Sequence, residues 1–138
     1  MKLFFILGNQ LFPLKYVDRF KKDHSFYMAE DYGLCTYEKH HKQKILLFLS
    51  SMRSYADMLK VNKYKLEYSK IEDKDFKDTY FKKLKIIIDQ KKITEISSFE
   101  VEDKFFEISI FKTFVFNFRI FDFVFIHFKR IHIRPHRR

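Results

Sequence analysis

The stretch KLFFIL at residues 2–7 defines the first element of the fold, because five apolar residues follow Lys2 and stop at Gly8. A short apolar run that ends at a turn residue is typical of a strand buried on both faces of a parallel sheet. A second run, SFYMA, covers residues 25–29, and further strand patterns cover residues 64–69 and 93–99. The sequence therefore predicts at least four short strands.

Helical periodicity separates these strands. Between about Glu38 and Val61, apolar residues recur three and four positions apart, and Thr36 is the expected N-cap. A second helix is predicted over residues 76–90, and shorter helices over residues 14–22 and 101–114. The apolar faces comprise Ile45, Phe48, Leu49, Met52, Tyr55, Ala56 and Leu59 in the long helix, and Tyr80, Phe81, Leu84, Ile87 and Ile88 in the second.

Strands that alternate with helices predict βαβ units joined by right-handed crossovers. The predicted fold class is α/β, a Rossmann-like three-layer sandwich with a mostly parallel sheet of about five strands. Ligands of such folds bind at the carboxyl ends of the strands. In this chain those ends are residues 8–10 and residues 29–31, which include two amides and two carboxylates.

Composition narrows the class of protein. The chain has 138 residues, a net charge of +10 and 46% hydrophobic residues, which suit one globular domain. A single cysteine, Cys35, excludes a disulfide framework and a cysteine-ligated cluster on this chain, and suits a reducing cytoplasm. We expect no membrane span, because no apolar run is long enough. Two glycines cannot supply the glycine-rich phosphate motifs.

The start of the long helix carries a concentrated positive charge in the run YEKHHKQKI, residues 37–45. A helix N-terminus favours anions, so an anionic neighbour is expected, and Glu30 is one internal candidate. The alternative is a solvated basic face with His40 or His41 packed on the sheet. Adjacent helical histidines diverge by about 100° and cannot chelate one ion. We therefore predict no metal site, and no motif indicates a catalytic residue.

The last part of the chain differs in composition. Ten of the nineteen phenylalanines lie in residues 105–128, and the basic residues change from mostly Lys to mostly Arg after residue 118. We divide the chain into a domain at residues 1–114 and a Phe-rich, basic tail at residues 115–138. One hypothesis is that a frameshift near residue 115 replaced the original continuation. The alternative is a genuine Phe-rich final strand with a basic tail.

Four motifs resemble a known family. LGNQL (residues 7–11), MAE (28–30), TYEKHHKQKILLFLSSMR (36–53) and KYKLEY (63–68) look like the start of the deoxyribodipyrimidine photolyase-related proteins. This is the iron–sulfur bacterial branch of the photolyase/cryptochrome family. The resemblance runs over about residues 3–105. Asn9 stands where the family usually has Asp, and it keeps the hydrogen-bonding shape without the charge.

The resemblance implies an N-terminal antenna domain that holds a ribityllumazine pigment beside its strand ends. The pigment would pass excitation energy to FAD in a separate helical domain, which also binds damaged DNA and carries an iron–sulfur cluster. A chain of 138 residues has no room for that domain, so DNA contact is expected only through a missing domain or a partner chain. By matching motif, the cofactor-binding positions are Gly8, Asn9, Gln10, Leu11, Glu30 and His41.

The sequence is therefore interpreted as a truncated antenna domain from a light-dependent DNA-repair family. One alternative is a small basic module that binds nucleic acid or a protein through its tail. Deleting residues 115–138 would abolish that binding and spare an antenna pocket. The other alternative is a decayed fragment, which would lack the cooperative thermal transition of an intact core.

We predict that the purified chain, illuminated with ultraviolet-damaged DNA, leaves the lesions intact. The reason is that light-driven repair needs an electron from a flavin that this chain is not expected to bind. Counting lesions before and after illumination checks this, and flavin-dependent loss of lesions would contradict it.

Overall fold

The structure, a computed structural model, describes residues 1–31 and 41–100 and the backbone of residues 122–126. Its strands are β1 (Lys2–Phe5), β2 (His24–Ala29), β3 (Leu66–Ser69), β4 (Glu95–Phe99) and β5 (Asp122–Ile126), and its α-helices are α1 (Lys42–Val61) and α2 (Tyr80–Lys91). The strands pair in parallel in the order β3-β2-β1-β4-β5. This is the strand order of doubly wound α/β folds, and it confirms the predicted α/β class.

The two helices cover opposite faces of the sheet. Successive residues of a strand point to opposite faces, so Leu3 and Phe5 pack on the α2 side, whereas Phe4 and Ile6 pack on the α1 side. All four side chains are fully buried, and each contributes about 1.5–3 kcal/mol through removal from water. The continuous apolar run in β1 therefore reflects a central strand between two helical layers, as predicted.

The predicted helical faces are confirmed in large part. Met52, Tyr55, Ala56 and Leu59 of α1 are buried. Phe48 and Leu49 are partly buried against the same cluster. On α2, Phe81 packs against a cluster that contains Tyr80, Leu84, Ile87 and Ile88.

Helix boundaries differ from the predictions. Helix α2 begins at Tyr80 rather than residue 76, because the Thr79 hydroxyl caps it by accepting from the Lys82 amide at 3.2 Å. The predicted helix at residues 14–22 is instead two single 3₁₀ turns, each closed by a bond between residues three apart. Helix α1 begins at Lys42 rather than near residue 38, and its N-cap is His41, so the expectation of Thr36 as N-cap is wrong. The predicted helix at residues 101–114 lies outside the described residues.

Strand β5 falls within the Phe-rich segment. It pairs in parallel with β4 from Glu95↔Asp122 to Phe99↔Ile126. The alternative to a frameshift, a genuine Phe-rich final strand with a basic tail, requires a strand in this segment. The frameshift itself stays a prediction. Within the described part of the chain, no helix combines the length and the apolar character needed to cross a membrane.

Both helices end in a turn that places a lysine in the left-handed region. After α1, Lys63 has φ 62° and the Tyr64 amide donates to the Leu59 carbonyl at 3.0 Å. After α2, Lys92 has φ 50° and the Ile93 amide donates to Ile88 at 3.1 Å. Glycine normally occupies this position, and a residue with a Cβ costs about 1 kcal/mol there.

A buried histidine lies at the start of β2. His24 packs edge-on against Phe4 and Phe20, with ring centroids 6.4 Å and 5.1 Å away. Its Nε2 lies 3.4 Å from the Ser97 hydroxyl and 3.8 Å from the Glu95 carboxylate. Burial lowers the pKa of His24 below its ordinary value of 6.5, and the charge of Glu95 opposes this only in part.

We predict that stability falls as the pH drops below about 6.5. At such a pH the unfolded chain binds a proton at His24 more readily than the folded chain does, because burial lowers the pKa of His24 in the fold. Protonation therefore favours unfolding. Chemical denaturation at several pH values would measure the slope of the free energy of unfolding against pH. The series starts at neutral pH and stops above the range in which Glu30 binds a proton, because that proton would add its own effect. His24→Phe should flatten the slope, whereas the exposed His41→Asn should not, and an unchanged slope in His24→Phe would contradict the assignment.

Candidate functional site

Helix α1 passes directly over the end of β1. A Cβ on Gly8 would lie 2.5 Å from Cζ of Phe48 and 2.8 Å from Sδ of Met52, both on α1. Such distances are well inside van der Waals contact, so only glycine permits this approach without moving the two side chains. Gly8 therefore allows the end of β1 to pack closely against α1, and it has no side chain that could contact a ligand.

The three residues after Gly8 have different environments. Gln10 is buried, and its Oε1 accepts from the Leu7 amide at 3.3 Å while its Nε2 donates to the Glu100 carbonyl at 3.0 Å. Gln10 therefore ties the end of β1 to the end of β4. Asn9 is exposed, and Leu11 packs half-buried against the α1-side core.

Glu30 forms a fully buried hydrogen-bonded centre just after β2. Its Oε1 accepts from Arg53 Nε at 2.7 Å and from the Tyr68 hydroxyl at 2.7 Å. Its Oε2 accepts from Arg53 Nη2 at 3.0 Å and from the Ile71 amide at 2.8 Å. Arg53 also donates to both carboxylate oxygens of Glu72. Four donors satisfy the acceptor capacity of one carboxylate, so the Glu30 side chain has no lone pair left for a ligand.

Hydrogen bonding keeps Glu30 ionised despite its burial. Burial acts to raise the pKa of the Glu30 carboxyl, but the bonds from Arg53, Tyr68 and the Ile71 amide outweigh it and lower the pKa. The bonds that Arg53 donates raise its own pKa. Burial and the bond to Glu30 likewise raise the pKa of Tyr68. The centre is therefore a carboxylate, a guanidinium and a neutral phenol at neutral pH.

A buried lysine holds the backbone of the same residue. Lys83, on α2, is 2% exposed, and its Nζ donates to the carbonyl oxygens of Glu30 at 3.3 Å and Phe76 at 3.1 Å. Side chains from both helical layers therefore meet at the end of β2.

Sequence reasoning missed Arg53, Tyr68 and Lys83. Arg53 and Tyr68 stood inside family-like motifs, but no local pattern signalled Lys83.

His41 is the N-cap of α1. It is exposed, and its Nδ1 accepts from the Gln43 amide at 3.2 Å. The expectation that Glu30 offsets the charge at this helix start is wrong, because Glu30 bonds to Arg53, about 16 Å farther along the helix. Packing of His41 on the sheet is also wrong, whereas Lys42 and Lys44 are solvated as the alternative expected. His40 lies outside the described residues.

The six predicted site residues are thus divided by the fold. The fold uses Gly8, Gln10 and Glu30 for contacts inside the protein. By contrast, Asn9 and His41 expose polar groups to solvent, and Leu11 exposes part of an apolar side chain. Among residues 1–31 and 41–100, no three His, Cys, Asp or Glu side chains group as metal ligands.

The sequence matches known proteins over most of its length. Residues 4–120 match the family model described as deoxyribodipyrimidine photo-lyase-related protein. The chain belongs to this family. A (6-4) photolyase from Agrobacterium fabrum (strain C58 / ATCC 33970) is 35% identical over 92 residues. That alignment covers 64% of this photolyase-related chain and 18% of the relative, so the chain spans under a fifth of the length of the curated relative it matches.

We predict that Glu30→Gln lowers the free energy of unfolding by about 3 kcal/mol, because it leaves buried donors poorly satisfied. The matched control is Glu72→Gln, which removes the exposed carboxylate from the same guanidinium and should cost under about 1 kcal/mol. Urea denaturation of both variants measures the difference. Equal losses would show that Glu30 is not the centre of this network.

Proposed function

We propose that this photolyase-related chain provides the antenna domain of a light-dependent DNA-repair protein and holds a ribityllumazine pigment at its strand ends. The observation that carries the proposal is the position of the end of β1, which lies between the parallel strands β2 and β4 and passes under α1. Ligands of α/β folds bind at the carboxyl ends of the strands, in the crevice where the strand order reverses, which in this sheet lies between β1 and β4.

The residues at this edge fit a pigment in part. Glu30 and Gln10 act in the proposal as positioning residues, because their polar atoms are buried and bonded inside the protein. The exposed Asn9 amide both donates and accepts, and the exposed His41 ring keeps its Nε2 free of the bond that its Nδ1 accepts from the Gln43 amide. Leu11 offers apolar contact to a ring face. This is the mix of a few polar groups and apolar lining that small-molecule sites use.

The pigment, when bound, supplies light absorption and transfer of excitation energy to a flavin. In the proposal, FAD and DNA belong to a helical domain or a partner chain. The residues of this chain do not fit an iron–sulfur cluster, since one cysteine cannot replace four thiolate ligands. We therefore assign the present residues to binding and orienting the pigment only.

The proposal predicts saturable binding of ribityllumazine by the purified chain, measured as a rise in the fluorescence anisotropy of the pigment. Asn9→Ala should weaken the affinity about five- to tenfold, the effect expected for one lost hydrogen bond. Asn9→Asp, which restores the residue usual in the family, should bind at least as well as Asn9→Ala.

The matched control for this experiment is Asn62→Ala. Asn62 caps the far end of α1 by donating to the Met58 carbonyl at 2.8 Å, and its loss should leave pigment affinity unchanged. Non-saturable binding, or equal effects of the two alanine variants, would count against a site at the strand ends.

A further inference from the structure

The parallel sheet gathers lysines at one of its two ends. Because the strands run parallel, every described connection that enters a strand lies at one end of the sheet, and every connection that leaves a strand lies at the other. Lysines accumulate around the entering connections. We call this the basic end, and define it by Lys2, Lys21, Lys22, Lys60, Lys63, Lys65, Lys91 and Lys92.

Few acids offset the basic end. Lys2 pairs with Glu95 at 3.3 Å, and Lys91 pairs with Glu67 at 2.9 Å. The nearby Asp23 makes no ion pair with any described residue. The six other lysines also have no ion pair in the part of the chain that the structure describes. Lys21 instead lies over the ring of Tyr64, 5.1 Å from its centroid.

The opposite end is close to balanced in charge. The described connections that leave the strands, taken with the first turn of each helix that follows, contain seven lysines and seven acids. The lysines are Lys42, Lys44, Lys70, Lys74, Lys77, Lys82 and Lys83, and the acids are Glu30, Asp31, Glu72, Asp73, Asp75, Asp78 and Glu100. Lysines and acids interleave along residues 60–104, so the sequence order hides the excess of lysines at one end. The basic end is a product of topology.

Backbone conformation singles out two lysines of the basic end. Lys63 and Lys92 follow the two helices at equivalent positions, and both adopt the left-handed conformation that favours glycine. Both are exposed. A residue kept in a costly conformation is a reason to look for a function of its side chain, and here both side chains add charge to the same surface.

We propose that the basic end contacts the phosphodiester backbone of a nucleic acid without reading its base sequence. Flexible lysines serve as point charges toward phosphates, and backbone contacts of this kind carry no sequence information. The surface lies on the α/β domain at the end away from Asn9 and Glu30. The proposal is therefore independent of pigment binding, and it differs from lesion recognition by a helical domain.

The test is binding of the full chain to a short, undamaged, fluorescent DNA duplex between about 50 and 200 mM salt. The double variant Lys63→Gly, Lys92→Gly should melt at a higher temperature, because glycine relieves the strained conformation. It should nevertheless bind more weakly, with the slope of log K against log salt reduced by about 2. Since the variant is more stable, misfolding cannot explain weaker binding.

The matched control is Lys70→Gly, Lys74→Gly, which removes the same charge from exposed positions at the opposite end. It should leave the salt slope unchanged. A second variant, Lys22→Gln, Lys65→Gln, removes charge from the basic end without altering strained backbone, and it should also lower the slope by about 2.

Three outcomes would overturn the proposal. Undiminished DNA binding by the variant with Lys63→Gly and Lys92→Gly would show that the basic end does not contact the duplex. Equal losses of binding in the Lys70→Gly, Lys74→Gly control would indicate only an effect of net charge. Tighter binding of polyglutamate than of the duplex at the same surface would indicate an acidic protein partner instead.

Discussion

The buried carboxylate of Glu30 is the constraint on which the strand ends depend. An ionised group is tolerated without water only when its oxygens are fully hydrogen-bonded. Arg53 from α1, Tyr68 from β3 and the Ile71 amide must therefore converge on it, and Lys83 from α2 holds its carbonyl. One residue thus couples both helical layers to the sheet edge where ligands of this fold class bind.

At the strand ends, the residues that stabilise the fold differ from the residues that are available to a ligand. Glu30 and Gln10 use their polar atoms inside the protein, so their placement beside a site does not make them ligands. Asn9, one position from Gln10, remains open to solvent. A motif shared with a family therefore contains two kinds of residue, and only burial and hydrogen bonding tell them apart.

Periodicity predicted the elements whose stability comes from burial. The apolar spacing of residues 45–59 correctly identified the face of α1 that covers the sheet, and the unbroken run in β1 correctly indicated a central strand. Boundaries were less accurate, because a cap such as Thr79 ends a pattern that apolar spacing would extend. Arg53 was not predicted as the partner of Glu30, since 23 residues separate them.

By itself, the sequence determined the α/β class, the parallel sheet and membership of the photolyase-related family, because these follow from local periodicity and from motifs that stand in order along the chain. Only the tertiary structure decided which polar residues are consumed by the fold and where the lysines gather. Parallel strands send residues that alternate along the chain to opposite ends of the sheet, as Lys63 and Glu72 show. Lysines that are interleaved with acids along the chain are thereby gathered at one end of the sheet, and the spacing of neighbours along the chain does not contain that information.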